Sequence, residues 1–559
     1  MSQTRIINGF RKFLAKINKE GIQNISPLDI CISILSDELQ IQDFIGTTDI
    51  ETKYYWIGNI YASLIPSSSR KELAAFFTPP LIARYTINRL EEFGFNITSS
   101  RILDPASGGA AFLTPLATAL IKKLKLQGKT HLEIGTHIFN HFSGIEIDKD
   151  LANLSGLILN DFISKQLPPF KKDLSRIIHD EDSLYVSGCD NYYHAVVSNP
   201  PYGKMRNPPI AIYKRFADSL TDKHVNKYAL FIRLAIDWAM AGGFIALVVP
   251  TSFIAGPSFG NLRKSILENT HVLAIDLIDT RDGLFVDVLQ DACILFLRKK
   301  KGKEPETPPT CRLLDEFGSY RELGSIDTPS ELSDRPWVLP SELSPEISTN
   351  DFFSEAYSRL ADYGYGVRAG YFVWNRQQER GREGNSPRRN EYPLIWAHCI
   401  KPNEPCLLST HRNHVKPGLI CFVRFDSPSE SLINQPVIVL QRTTNRHQAR
   451  RLVAGYITKD MIRKYSSVIT ENHTIIVYPL RNIKQKINLR MMCRLLNSKP
   501  VDMRYRQISG TVSVSVKLLK EMPLPHPALI MNRYGKDLSA EEFDELVENC
   551  YLEAARLKR

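Results

Sequence analysis

Paired cysteines are missing from this 559-residue chain. Nine Cys are spread from Cys31 to Cys550 with no C-x-x-C spacing. That distribution fits reduced thiols and not a disulfide framework. Long apolar runs are missing too: no stretch reaches the roughly 18 uncharged apolar residues that would cross a bilayer. The first segment, MSQTRIINGFRKFLAKINKEG, is basic but has no continuous apolar core and no small-residue cleavage site. A secretory leader is therefore not expected, and a cytoplasmic protein is. With 30 Gly and 33 Pro the chain is too poor in both for a collagen-like or low-complexity reading. Internal repeats are absent. What remains is an ordinary globular composition, 43% hydrophobic and 23% charged, with room for two to four domains.

Charge is abundant and unevenly placed. The net charge is +11, yet residues 361–530 alone hold 27 Lys/Arg against 11 Asp/Glu, which leaves 44 against 49 for the rest. A cationic region on an otherwise mildly acidic chain is the footprint expected for nucleic acid. A solvated basic face without a partner has the same composition.

Residues 1–70 read as a polar N-terminal helical segment ending in Pro66-Ser67-Ser68-Ser69-Arg70. Over 71–300, apolar strand-like runs alternate with helical patterns. Candidate strands are Arg101–Asp104, Phe142–Ile147, Arg176–Ile178, His194–Ser198, Phe244–Val249, Val272–Ile278 and Ala292–Leu297. Candidate helices lie at 109–126, 149–163 and 227–241. This alternation predicts an α/β fold with a mostly parallel sheet covered on both faces. The polar link Asp279–Gln290 carries no helix pattern, so the last two strands are expected to pair antiparallel at one end of the sheet. The run KKKGKEPETPP at 299–309 breaks the pattern. Residues 301–350 read as a linker, 351–534 as a basic, β-rich domain, and 535–559 as a charged C-terminal helix.

Three loops carry the chemistry. Asp104-Pro105-Ala106-Ser107-Gly108-Gly109-Ala110 follows the first strand and opens a helix. Its small residues allow close backbone approach to a ligand at the C-terminal end of the strand. It lacks G-x-G-x-x-G, and its leading acid suits an ammonium better than a pyrophosphate. Gly144-Ile145-Glu146-Ile147-Asp148 ends the next strand with a carboxylate able to accept from both hydroxyls of a ribose. Asp182, after the third strand, could accept from an adenine amine. Each of these alone is equally an ordinary strand-end turn. The third loop is more specific. The strand His194–Ser198 runs into Asn199-Pro200-Pro201-Tyr202-Gly203. Two prolines fix φ and remove two donors, so the Asn199 side-chain oxygen and the Pro200 carbonyl can converge on a planar NH₂ group. Tyr202 offers a flat face for stacking on a ring.

In this order the loops resemble those of the gamma-class N6-adenine DNA methyltransferases, the TaqI-like group. The resemblance covers about 70–300. It implies a Rossmann-like S-adenosylmethionine-dependent methyltransferase sheet, mostly parallel with an antiparallel last strand, and a separate C-terminal α+β target-recognition domain. It further implies that Phe77, Thr78 and Pro79 with Asp104, Pro105, Ala106, Ser107 and Gly108 form the S-adenosylmethionine site. Glu146 and Ile147 would flank the ribose, and Asp182 and Ser183 the cofactor's adenine. Asn199, Pro200, Pro201 and Tyr202 would be catalytic, and Phe285 a second aromatic on the target base beside Tyr202. The family loop usually reads D-P-A-C-G-S-G, so Ser107 and Ala110 are departures. In the basic region, Gly364–Gly370 and Asn497-Ser498 through Met522–Pro525 look family-like. Gln441-Arg442-Thr443-Thr444, followed by Arg446, Arg450 and Arg451, resembles a stretch of PstI/BsuBI-type modification methylases.

The function implied is transfer of a methyl group to N6 of a flipped-out adenine in duplex DNA, within a bacterial restriction–modification system. The implied setting is a cytoplasmic monomer, with a cognate endonuclease that forms no stable complex with it. Three rivals stand beside this reading. They are an N-methyltransferase acting on RNA or a protein glutamine, a fused restriction–modification enzyme, and a non-catalytic DNA-binding specificity subunit. The cluster His398, Cys399, Cys406, His411, His414 and Cys421 matches no common zinc spacing, so no metal is expected.

Overall fold

The computed structural model describes residues 12, 26–36, 49–66, 77–205, 207–217, 225–279, 292–302, 307–328, 335–340, 352–408, 420–426, 429–443, 450–509, 513–533 and 538–556. The chain forms two compact units, Met1–Pro336 and Trp337–Arg559.

The first unit is built on a nine-stranded sheet. Its strands are β1 Ile102–Asp104, β2 Phe142–Glu146, β3 Ile178–Asp180, β4 Tyr193–Ser198, β5 Ala239–Pro250, β6 Thr270–Ile278, β7 Ala292–Lys299, β8 Thr310–Leu314 and β9 Tyr320–Ser325. They lie in the order β9-β8-β6-β7-β5-β4-β1-β2-β3. The pairs among β3, β2, β1, β4 and β5 are parallel. Strand β7 runs antiparallel to both β5 and β6. Helices alternate with these strands: α1 Ile50–Leu64, α2 Pro80–Glu92, α3 Leu113–Leu126, α4 His131–His141, α5 Lys149–Gln166, α6 Ile210–Arg215, α7 Lys227–Trp238 and α8 Gly260–Asn269. The central strands are buried on both faces, and Ala195, Val196 and Val197 of β4 are fully enclosed. Each fully buried Val side chain contributes about 1.5–3 kcal/mol.

Several sequence expectations change here. The antiparallel pair β6–β7 is interior, because β8 joins β6 in parallel and β9 follows. Part of the expected linker 301–350 is therefore sheet. Those strands were hidden because Arg312 occupies an inward position and Tyr320-Arg321-Glu322 looks like surface. Arg312 is nonetheless 8% exposed, paired with Glu92 at 2.9 Å and Glu322 at 2.7 Å. Beside it Asp276 of β6 is wholly buried and accepts from Tyr85 Oη at 2.8 Å, Arg89 Nε at 3.2 Å and Arg312 N at 2.9 Å. Finally, helix α7 stops at Trp238 instead of 241, because Ala239 leaves the helical region for φ −64°, ψ 138° and opens β5.

The N-terminal segment is not a separate body either. Helix α1, capped by Asp49 accepting from Thr52 N, buries Ile57 and Ile60 in one core with Phe77, Ile82 and Leu113. Tyr54 Oη donates to Asp161 at 2.6 Å, and Tyr61 Oη to Asp148 at 2.7 Å.

The second unit holds two four-stranded sheets. Strands β10 Tyr365–Ala369, β11 Gly381–Arg382, β12 Glu391–Ile395, β13 Phe422–Arg424, β14 Ile438–Gln441, β15 Ala454–Tyr456, β16 Ile469–Thr470 and β17 Thr474–Pro479 form the orders β10-β17-β14-β15 and β11-β13-β12-β16. Its longer helices are α9 Leu489–Leu496, α10 Lys499–Gln507 and α11 Ala540–Arg556. The C-terminal helix α11 belongs to this body: Phe543 is buried, and Tyr551 Oη donates to Pro523 O at 2.8 Å.

Candidate active site

Strands β4, β1 and β2 are neighbours, so Asn199, Asp104 and Glu146 emerge at the same C-terminal edge, where open α/β sheets bind ligands. Asp104 is 1% exposed. Its Oδ1 accepts from Ser198 Oγ at 2.6 Å and from Ala106 N at 3.1 Å. The first-strand acid is thus tied to the residue preceding Asn199, a link between positions 94 apart that no spacing in the sequence reveals. The following turn docks on β2: Ser107 N donates to Ile145 O at 2.9 Å, and Gly108 N to Glu146 Oε2 at 3.0 Å. Glu146 Oε1 accepts from Asp148 N at 3.0 Å. Burial pushes Asp104 and Glu146 each up to about 7, against the lowering effect of these hydrogen bonds. Two carboxyls held near neutrality at adjacent strand ends are poised to take a donor-rich ligand.

The turn itself needs its glycines. Gly108 has φ +52°, and a Cβ there would lie 2.9 Å from Phe77 Cε1. The Phe77 ring also rests against Gly58 of α1, where a Cβ would meet it at 3.5 Å. Ala110 adopts φ 58° while wholly buried, a strain of roughly 1–2 kcal/mol for a residue with a Cβ. Thr78 Oγ1 and Ser107 Oγ are buried without a hydrogen-bond partner. Buried hydroxyls left unpaired cost about 1–3 kcal/mol each, so both are natural contacts for a polar ligand.

Pro79 is the N-cap of α2. Pro105 O accepts from Ser183 Oγ at 2.6 Å, and Asp182 Oδ1 accepts from Leu184 N at 3.0 Å, so the 182–184 loop is pinned to the first loop. Ile147 is 56% exposed beside Glu146, an uncovered apolar surface at the site.

Asn199 is half-buried and Pro200 buried. Tyr202 is half-buried and packs against the main core; its Oη donates to Val248 O at 3.3 Å. Burial raises its phenol well above the ordinary range, so it stays neutral. Phe285 lies outside the described residues. Sequence reasoning missed Arg215, whose Nη1 donates to Leu184 O at 2.7 Å and brings α6 back to the 182–184 loop.

In the second unit the family-like patches hold the fold. At Gly366 and Gly370 a Cβ would lie 2.7 Å from Tyr478 Cζ and 2.0 Å from Glu471 O. Gln441 Nε2 donates to the buried Ile400 carbonyl at 3.1 Å, and Arg442 Nη1 to Asn472 O at 3.2 Å. Asn497 Oδ1 accepts from Ala454 N at 2.9 Å. The backbone N–H groups of Arg451 and Leu452 donate to Asp502. Cys399 and Cys406 sit in an apolar cluster with Val439 and Ile476. His411 and His414 lie outside the described residues. Among the described residues no group of three or more His, Cys, Asp or Glu is placed to hold a metal.

Residues 53–311 match the family model described as N-6 DNA Methylase. The type II methyltransferase M.BsuBI of Bacillus subtilis is 25% identical over 479 residues, covering 83% of this chain and 90% of that protein. The type II methyltransferase M.PstI of Providencia stuartii is 22% identical over 490 residues, covering 83% and 89%. In fold, the chain is similar to a nuclease-deletion mutant of the type ISP restriction–modification enzyme LlaGI, solved in complex with a DNA substrate mimic. That likeness has a TM-score of 0.51 at 12% identity and covers 93% of this chain and 58% of that one. Over residues 53–311 the chain is thus similar to the N-6 DNA methylase family.

Proposed function

We propose that the chain is a site-specific DNA adenine-N6 methyltransferase of a bacterial restriction–modification system, using S-adenosylmethionine. The observation that carries this is the Asn199–Tyr202 loop, anchored through Ser198 to the buried Asp104. The site residues fit the cofactor. Asp104 would take its ammonium, Glu146 its ribose hydroxyls beside Ile147, and the 182–184 loop its adenine. Phe77, Thr78 and Pro79 with Ala106, Ser107 and Gly108 would close the other side, where the two unpaired hydroxyls lie. When bound, S-adenosylmethionine supplies an electrophilic methyl group on a sulfonium.

The residues of this chain act on the amine. Its lone pair is conjugated with the purine ring, which makes it a poor nucleophile. The Asn199 side-chain oxygen and the Pro200 carbonyl would accept its two hydrogens and draw the nitrogen toward a tetrahedral geometry. That is preorganised electrostatic stabilisation, with no protein nucleophile. Pro201 keeps the loop rigid. Adenine inside a duplex cannot reach this edge, so it must be flipped out, with Tyr202 stacking on it. Among the described residues no helix is long and apolar enough to cross a membrane. The proposed setting is a cytoplasmic monomer on duplex DNA, beside a separate endonuclease.

Cofactor affinity should depend on pH. In the free protein Asp104 and Glu146 are raised to about 7, and a cationic, hydroxyl-rich ligand favours their ionised forms. Below that value each must lose a proton on binding. Affinity is expected to weaken as pH falls from 7 to 6 and to level off above about 7.5, by roughly tenfold per unit per group at the limit. Calorimetric titration at several pH values checks this; an affinity flat from pH 6 to 8 refutes it.

The deciding experiment is expression in a host lacking adenine methylation, followed by genome-wide mapping of N6-methyladenine. One short motif methylated throughout is the expected result. An unmethylated genome, from protein that binds S-adenosylmethionine, overturns the DNA reading in favour of RNA or a protein glutamine.

A further inference from the structure

Just beyond β10 the second unit projects a small turn closed by hydrogen bonds at its base. Phe372 anchors it: the ring is wholly buried with Leu394, Val423 and Ile469. The N–H groups of Tyr371 and Phe372 both donate to Thr470 O at 3.0 Å, and Asn472 N donates to Phe372 O at 2.9 Å. Beyond the anchor, Val373 O accepts from Arg376 N and Gln377 N, each at 3.0 Å. Val373 N donates back to Gln377 Oε1 at 3.2 Å. The base of the turn is thereby locked from both sides, and its tip, Trp374-Asn375-Arg376, is exposed throughout. Trp374 is 45% exposed and Tyr371 39%. Neighbouring cations are engaged within the fold: Arg382 pairs with Glu391, and Arg380 lies over the Phe425 ring at 4.7 Å. Arg376 has no carboxylate partner among the described residues, and Arg388 and Arg389 stand exposed on the next turn.

A rigid turn that holds an amide and a guanidinium in water and leaves 45% of an indole there is poorly explained by stability alone. The same three groups suit a duplex: Arg is bidentate to guanine, Asn to adenine, and an aromatic ring stacks on or wedges beside a base. Exposed Arg388 and Arg389 match phosphate charge. We propose that the Trp374-Asn375-Arg376 tip reads base edges of the recognition sequence in duplex DNA. This rests on the DNA methyltransferase reading above.

The test compares the wild type with Trp374→Ala, Arg376→Ala and Arg376→Lys in two measurements. One is methylation mapping in a host lacking adenine methylation. The other is binding of the purified proteins to a duplex carrying the wild-type motif and to S-adenosylmethionine. Arg376→Ala should lower methylation of the intact motif about tenfold or more and admit other bases at one of its positions. Trp374→Ala should weaken duplex binding about tenfold, with the melting temperature and S-adenosylmethionine affinity unchanged. Arg376→Lys keeps the charge and guards against a folding artefact, yet should still lose the discriminated base. Variants that keep the wild-type motif and rate, or lose activity equally on every sequence, overturn the proposal. A wild type that methylates no DNA refutes the functional reading instead. In that case binding is read on sheared genomic duplex DNA, and tip variants that bind it as the wild type does also overturn this inference.

Discussion

Asn199→Ala should lower methyl transfer about a thousandfold while leaving the affinity for S-adenosylmethionine within about twofold of the wild type. Removing a single preorganised hydrogen-bonding group from a site that stabilises developing charge costs about 10²–10³ in rate. In the proposed arrangement the lost oxygen is one of two acceptors offered to the amine, and the Pro200 carbonyl cannot engage both hydrogens alone. Asn199 lies after β4, and its loop meets the cofactor side through Ser198 and Asp104. The substitution removes no group from the turn that docks on Glu146. Single-turnover rates with saturating cofactor, set beside cofactor binding by calorimetry, separate the two effects. A variant that retains more than about a tenth of the wild-type rate would sink the proposed role of Asn199.

Asp276→Ala should destabilise the first unit by about 3–5 kcal/mol, the usual cost of breaking a buried ion pair from one side. That is a large part of the about 5–15 kcal/mol by which domains are stable. Asp276 is 0% exposed, and burial holds its carboxyl above the usual range even beside Arg89 and Arg312. The charge is itself expensive to keep there. The loss on truncation comes from what would be stranded: the Tyr85 hydroxyl, the Arg89 guanidinium and the Arg312 amide, all of which donate to it. A fall in melting temperature on the order of 10 °C is expected. Asp276→Asn keeps an acceptor of the same shape and should lose less than half as much. A shift under about 2 °C for the alanine variant would show that the cluster relaxes or hydrates without penalty.

Much of the site was legible because local chemistry and local spacing coincide there. Asn199-Pro200-Pro201-Tyr202 announces itself through two prolines directly after an apolar strand. Glu146 and Asp104 sit where strand patterns end. Their mutual arrangement was not legible: the Ser198–Asp104 bond and the Phe77 packing against Gly58 and Gly108 join segments with no periodic relation. The edge strands β8 and β9 escaped for a different reason. Polar-versus-apolar alternation assumes that inward positions are apolar, and Arg312 breaks that assumption through its pairing with Glu92 and Glu322. In the second unit, charge marks a cationic region without placing its side chains. Gln441 and Arg442 bond backbone carbonyls, and the exposed tip at Trp374 lies in a stretch with little periodicity.

The Arg89–Asp276–Arg312 cluster also bears on how the chain is made. Glu92 and Arg312 are hydrogen-bonded across 220 positions. At the about 5–20 residues per second of ribosomal synthesis, roughly 10–45 s pass between the emergence of helix α2 and that of the strand that completes its environment. During that interval α2 can dock its apolar face and Arg89 can pair with Glu92 on the same helix, but its guanidinium stays open to water until Asp276 and then the edge strand have emerged. The parallel core can therefore assemble early while its far edge stays open, and a nascent chain stalled before residue 310 would present that unsealed edge to other strands and to chaperones.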